Sequence, residues 1–255
     1  MRAPVVHHVN RRRRALCRRM LRSGGELLVT VGAVLLLLVV HQLWWTNRQA
    51  RQGAERKVQA LEREWGGSGA TTGSPAVGGA VSPAAGGTGQ SPRRQAVAVG
   101  SVRPAPSQAY AVLVIPRLSL RAPVAEGISK AGVLNKGYVG HYPGTAQAGQ
   151  AGNFALAGHR NTHGEPFRYL DRLRRGDAVV VETGAAVYTY VVGQVLPETS
   201  AGDGGVIAAV PRSDVKPSYG YDRPGYYLTL TTCTPEFTSR YRLVVWGTLS
   251  SARPR

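Results

Sequence analysis

The run Leu228-Thr-Leu-Thr-Thr-Cys233-Thr-Pro235 reads as a β-strand that stops at its cysteine, because proline cannot continue a strand ladder. A side chain at a strand end is open to a cleft yet held by a rigid element, a useful place for a nucleophilic sulfur. Thr231, Thr232 and Thr234 flank the thiol with polar groups, which argues against an inert cysteine buried among apolar neighbours. Eight residues, 234–241, then separate Cys233 from Arg242, the first residue of a second strand-like run ending at Leu249. If the two runs form a symmetric antiparallel hairpin, Cys233 and Arg242 lie directly opposite, with Cβ atoms ~4.5–5.5 Å apart. A guanidinium there lowers a thiol pKa and can hold a developing oxyanion. Arg240 sits in the connecting loop, and a register slip of one residue would separate the pair. His159 closes the segment Asn153-Phe-Ala-Leu-Ala-Gly-His159, a third functional group at a strand end. Together the three make a Cys/His/Arg constellation suited to nucleophilic acyl transfer, with Cys233, His159 and Arg242 as the candidate catalytic residues.

Each residue also has an ordinary reading: a packed thiol, a solvated arginine, a structural histidine. His163, in a Gly- and Pro-bounded loop, is the weaker histidine candidate, and His141, before the turn Tyr142-Pro143-Gly144, reads as structural. His159, His163 and Cys233 could also supply three zinc ligands. The Gly164-Glu165-Pro166 sequence opposes a helix through the two histidines and no fourth ligand stands out, so no metal is expected. No phosphate loop or cofactor motif is present, and no cofactor is expected.

The elements that must position these groups are mostly strands. Tyr110–Ile115, Leu120–Glu126, Tyr138–Tyr142, Asn153–His159, Ala178–Glu182, Val187–Val195, Tyr226–Thr232 and Arg242–Leu249 are short, rich in Val, Tyr and Thr, and bounded by Gly or Pro. Eight such segments predict one all-β domain over residues 109–251, a closed barrel or a sandwich. Thr183-Gly184 reads as a tight turn. Short helical insertions are expected around Phe167, Leu170 and Leu173, and near Val206–Val210. The stretch between Leu196 and Tyr226, rich in Gly, Pro and Ser, is long enough to wall one side of a substrate groove.

Residues 1–25 form a basic tail, with Arg11–Arg14 consecutive. Residues 26–46 read as a transmembrane signal-anchor helix: Leu27–Trp45 is 19 residues, roughly 28 Å at helical rise, close to the ~30 Å hydrocarbon core. The arginines stay cytoplasmic and Trp44 and Trp45 fit the far interface, which puts the C-terminal domain outside the cell. No small-x-small cleavage site follows, so the helix reads as an uncleaved anchor. Residues 47–65 are polar and helix-friendly, a juxtamembrane stem. Residues 66–108 are Gly, Ala, Ser, Thr and Pro and read as a disordered linker, a tether long enough for an enzyme working some distance above its membrane.

The formal charge of +18 suggests nucleic-acid binding until it is located. Residues 1–107 hold 16 Lys/Arg against 4 Asp/Glu, while residues 108–251 hold 14 against 10. The excess lies in tail and linker, so no nucleic-acid partner is expected. The two cysteines, Cys17 and Cys233, fall on opposite sides of the membrane in this topology and cannot pair.

At Thr-Leu-Thr-Thr-Cys233, at Arg242 before Leu-Val-Val-Trp, and at Leu-Ala-Gly-His159, the chain resembles the sortases. The segments Thr-Thr-Cys-Thr-Pro-Glu-Phe-Thr-Ser-Arg and Gly-His-Arg-Asn-Thr-His-Gly-Glu-Pro-Phe look most like class E sortases of high-GC Gram-positive bacteria. The resemblance covers about residues 109–250. It implies an eight-stranded sortase-type β-barrel in which the cysteine attacks the Thr–Gly bond of an exported protein's C-terminal sorting signal. The histidine then acts as acid and base and the arginine supports substrate and oxyanion. An amino group of a peptidoglycan precursor would release the product from the thioacyl enzyme. It also implies a preference for Leu-Ala-x-Thr-Gly over Leu-Pro-x-Thr-Gly. The alternatives are a pilus-polymerising sortase, a simple cysteine peptidase and a membrane-tethered binding module with no catalysis. Against the pilus class, the linker carries no Asp-Pro-aromatic tripeptide and Ser250–Arg255 is not apolar.

Overall fold

The computed structural model describes residues 9–68 and 103–255. One helix, α1 (Val9–Ser68), is followed by eight strands: β1 (Ala109–Ile115), β2 (Leu120–Glu126), β3 (Val139–His141), β4 (Gly152–Ala157), β5 (Ala178–Thr183), β6 (Ala186–Ser200), β7 (Tyr226–Thr234) and β8 (Tyr241–Pro254). The strands close into a barrel in the order β1-β2-β3-β4-β7-β8-β6-β5. The barrel, rather than the sandwich, is the outcome of the two expectations for eight strands.

Alternation along each strand sorts side chains between barrel interior and outer face. On β1, Ala111, Leu113 and Ile115 point into the main core, while Val112 joins a second cluster under α1. On β4 and β7, Phe154, Leu156, Leu228 and Leu230 fill the interior. On β8, Leu243 and Val245 do the same, whereas Val244 and Trp246 face out under the β6–β7 connection with Leu196 and Val206. Both faces of these strands are therefore covered. That is why β4 and its parallel neighbour β7 read as near-continuous buried runs.

Strands β6 and β8 run longer than their composition suggested, because they pair with each other from Ala186↔Pro254 to Ser200↔Tyr241 across three bulges. Thr183 ends β5 as expected of a turn; its hydroxyl accepts from the backbone N–H of Ala186 at 3.0 Å. The expected helix around Phe167, Leu170 and Leu173 is a single 3-10 turn, Leu170–Arg172, although all three apolar residues are buried. The second insertion is likewise a 3-10 turn, Gly204–Ile207.

In α1 the apolar stretch Leu27–Val40 is exposed along its length and is long and apolar enough to cross a membrane. The helix then continues without a break into the stem, where Ala50, Ala54, Val58 and Leu61 are buried on one face. Their spacing of four, four and three is a helical stripe; Val58 and Leu61 pack with Ala109, Val112, Ala125 and Val133 of the barrel, and the Ala50 carbonyl approaches Gly137. Arg121 pairs with Glu62, and Arg255 lies 4.7 Å over the Trp65 ring. The stem ahead of the linker is thus docked on the barrel. The small residues Ala50 and Ala54 carry little hydropathy, which hid the stripe among Arg, Glu and Gln. Most of the expected linker, residues 69–102, lies outside the described residues, as do residues 1–8 of the basic tail. Residues 66–68 belong to α1, and Ser107 donates its N–H to the Glu126 carbonyl at 2.8 Å.

Candidate active site

β7 is the axis of the site. Its antiparallel register with β8 places Cys233 directly opposite Arg242, with Thr234 opposite Tyr241, as the eight-residue connection predicts. Its parallel register with β4 runs to Ala157↔Thr231. Two hydrogen bonds carry that register past the strand end: Gly158 N–H to the Thr231 carbonyl at 3.2 Å, and Thr232 Oγ1 to the Gly158 carbonyl at 2.8 Å. Two residues beyond Ala157, His159 is therefore level with Cys233. The alternation that sends Leu156, Leu230 and Leu243 inward sends Ala157, Thr231, Cys233 and Arg242 to the outer face, and His159 continues that set. Three strand ends thus bring the three candidates to one row on one face.

Gly158 is the hinge of this row. A Cβ there would lie 2.7 Å from Cδ2 of Phe167, a fully buried ring with no room to retreat. Only glycine lets the chain pass this close to the core before it turns out to His159.

His159 is half-buried. Burial first, then the neighbouring His163 and Lys130, hold its pKa below the ordinary histidine value. Nε2 lies 3.0 Å from Oδ1 of Asn135, in the 3-10 turn Leu134–Lys136. An amide oxygen only accepts, so Nε2 carries the proton and Nδ1 keeps the basic lone pair. His163 stacks on His159 with ring centroids 5.3 Å apart and planes at 28°. Among the described residues no group of three His, Cys, Asp or Glu is placed to hold a metal ion.

Cys233 is partly exposed at the end of β7. Arg242 donates Nη1 to the carbonyls of Ser239 and Tyr241, at 2.8 and 2.9 Å. Its backbone is opposite the thiol while its guanidinium is folded back over its own loop. Arg240 is exposed and lies over the Tyr241 ring at 5.1 Å. His141 is buried, with Nδ1 2.7 Å from Glu126 and Thr145 Oγ1 2.9 Å from Nε2, a structural post away from the row.

Several contributors were not singled out from sequence. Arg160 is buried and donates to the Cys233 carbonyl at 3.3 Å and to Thr234 Oγ1 at 3.0 Å, tying the histidine segment to the end of β7. The parallel register would have revealed it, but parallel pairing partners are not readable from spacing. Tyr142 reaches Thr231 Oγ1 with its hydroxyl at 3.0 Å and overhangs the outer face of β7. The β6–β7 connection covers the same face farther down. Val206 accepts from Trp246 Nε1 at 3.0 Å, and Ala208 accepts from Asn153 Nδ2 at 3.0 Å. Inside that connection, Asp203 gathers Thr199, Ser213 and the Asp214 N–H, which makes it a fixed wall. The face is closed below the row and open at Cys233.

Residues 113–250 match the sortase domain family. The chain is 42% identical over 220 residues to sortase SrtE1 of Streptomyces coelicolor, which spans 84% of this chain and 53% of that protein. It is 34% identical over 214 residues to sortase SrtE2 of the same organism, 82% of this chain and 74% of that one. The chain thus spans about half the length of the first relative. Among solved structures, sortase E1 of S. coelicolor with a tripeptide in its active site superposes with a TM-score of 0.55 and 49% identity, covering 60% of this chain and 94% of that one. The barrel order, the row of strand ends and these likenesses agree: the chain belongs to the sortase family of cysteine transpeptidases and is closely related to the class E sortases.

Proposed function

We propose that this chain is a membrane-anchored transpeptidase that cleaves the Thr–Gly bond of a Leu-Ala-x-Thr-Gly or Leu-Pro-x-Thr-Gly sorting signal and joins the exported protein to a cell-wall amine. The observation that carries the reading is the pairing of Cys233 with Arg242 across β7 and β8, beside the chain that leaves β4 through Gly158 to His159.

The steps follow from the side chains. Nδ1 of neutral His159 takes the Cys233 proton as sulfur attacks the threonine carbonyl. The C–N bond to glycine then breaks, and the imidazolium returns the proton to the departing glycine amine. This leaves a thioester on Cys233. An incoming amine attacks it, losing a proton to His159, and the thiol recovers that proton as it leaves. Arg242, released from the Ser239 and Tyr241 carbonyls, reaches the peptide and the developing oxyanion. The open face above a rigid wall suits an extended peptide, and the sortase E1 relative holds a tripeptide at its active site.

The direct test is mass spectrometry of enzyme, Leu-Ala-x-Thr-Gly peptide and an amine donor. A joined product is expected, formed faster than from the proline counterpart. Equal or reversed rates remove the preference; hydrolysis alone, with amine in excess, makes the protein a peptidase instead.

The orientation we propose is N-terminus inside and barrel outside, on the strength of the arginine-rich start and of Trp44 and Trp45, two exposed rings at the far end of the apolar stretch. Asn47, two residues past Trp45, already touches the barrel, roughly 3 Å of helical rise beyond the interface. The site therefore works at the membrane surface, where an exported protein and a lipid-linked cell-wall precursor both emerge. On wall-stripped cells, a membrane-impermeant thiol reagent will label Cys233 and spare Cys17; labelling of Cys17 with Cys233 protected reverses the orientation.

A further inference from the structure

The stem of α1 touches both elements that hold His159. On one side is the loop carrying His163, whose ring stacks on His159. Asn47 donates Nδ2 to Glu165 Oε1 at 2.7 Å and accepts the Gly164 N–H at 3.3 Å. Arg51 donates Nη2 to Glu165 Oε2 at 2.9 Å and Nε to the Gly164 carbonyl at 3.2 Å. On the other side is the 3-10 turn whose Asn135 accepts from His159 Nε2. The three elements meet at Gly137, where an added Cβ would lie 2.9 Å from the Ala50 carbonyl oxygen and 3.2 Å from that of His163.

The loop between them has an unusual backbone. His163, Gly164 and Glu165 have φ of +52, +85 and +53°, three successive left-handed residues of which two carry side chains. Such a conformation persists only where the surroundings over-determine it. Here the surroundings are largely α1. The Glu165 side chain is 4% exposed, and its carboxylate is met by Asn47 and Arg51 from the helix and by Arg168 from its own loop at 2.8 Å. A carboxylate this buried depends on its partners, and two of the three come from the membrane anchor.

We propose that the juxtamembrane half of α1 is a positioning element of the active site, with Asn47 and Arg51 acting through Glu165 to fix the His163 loop and thereby the imidazole of His159. The inference rests on the reading of His159 as the acid–base group. It gives the anchor a second role, because part of what holds the loop beside the histidine comes from α1. The titratable groups around His159 are His163 from its loop, Lys130 from the connection after β2, and Cys233 on β7; α1 reaches this set through its bonds to Glu165 and Gly164.

The test uses the full chain in lipid nanodiscs, comparing native protein with an Asn47→Ala/Arg51→Ala double variant. Burst formation of the thioacyl enzyme gives the acylation rate and KM, and imidazole NMR gives the His159 titration midpoint. The rate at saturating peptide is expected to fall roughly ten-fold, the scale on which small misplacements of reacting groups act, with KM nearly unchanged. The His159 midpoint rises, because His163 moves off and water enters. Arg51→Lys, which keeps a charge for Glu165, is expected to recover most of the rate. Native rate and native midpoint in the double variant would overturn the inference and leave α1 an anchor alone. Should the double variant fail to fold, Arg51→Ala, which keeps the Asn47 bonds and the apolar stripe, is read by the same two outcomes. His159→Ala is run alongside. If it stays active, the reading of the site is at fault; if it is dead while the double variant is native-like, only the role of the helix is lost.

Discussion

Cys233→Ala will form no thioacyl adduct and no joined product, and His159→Ala will lose both to the limit of detection. The two losses have different origins. Without sulfur there is no nucleophile, and Thr231, Thr232 and Thr234 cannot replace it, because a hydroxyl is far less ionised than a thiol at neutral pH. Without the imidazole the thiol keeps its proton and the glycine amine has no proton to leave with, so both halves of the exchange fail. The pH dependence follows from the environment of His159. Burial, His163 and Lys130 lower its pKa, so the imidazole is neutral and competent as a base at neutral pH. As pH falls through that lowered value the base is lost, so the acid limb of acylation should lie below the ordinary histidine range. The measurement is the pre-steady-state burst as a function of pH. A limb at or above ordinary histidine values would show that His159 is not the titrating base, and a Cys233→Ala enzyme that still joins peptides would remove the mechanism altogether.

Arg242→Lys will fold normally and lose roughly 10²–10³ in acylation rate, the usual cost of removing one oxyanion donor. Lysine keeps the charge but not the planar fork that can reach two oxygens at once. The fold should not notice the change: Arg242 is partly exposed, and its bonds are to carbonyls of its own loop, Ser239 and Tyr241, which water can satisfy. Arg240→Lys is the control. Its guanidinium is exposed over Tyr241 and no strand register carries it to Cys233. If Arg240→Lys is the damaging change and Arg242→Lys is silent, the arginine role passes to Arg240. The Cys/His pair would then stand without Arg242.

How far the site was legible depended on the kind of pairing involved. The Cys233–Arg242 relation is a hairpin relation, and a connection of eight residues with strands on both sides leaves few registers open. The relation of His159 to Cys233 crosses 74 positions between parallel strands, with no short connection to fix the register. A histidine motif could be recognised, but its level could not be deduced. For the same reason Arg160, whose guanidinium braces the Cys233 carbonyl, drew no notice beside the histidine it follows. The helical insertions lie where the apolar spacing puts them and are 3-10 turns. Phe167, Leu170 and Leu173 are buried at spacing three, but that spacing fits a 3-10 turn as well as an α-helix, and Gly176 ends the segment too early for the longer element.

What the sequence by itself determined is the set of strands, the apolar helix long enough to span a membrane, and the candidate side chains for the site. Those are local matters of alternation, run length and residue chemistry. What only the tertiary structure decided is how the two ends of the molecule meet. Ala50, Ala54, Val58 and Leu61 make a stripe too small and too diluted by charge to announce a docking face. Its partner surface, Ala109, Val112, Ala125 and Val133, exists only after the barrel has closed. A linker's composition reports its own inability to bury surface, not where its ends are held. The seating of the barrel on α1, and of Glu165 against Asn47 and Arg51, comes from contacts far apart in sequence, 118 and 114 residues for the two bonds to Glu165, which no local pattern encodes.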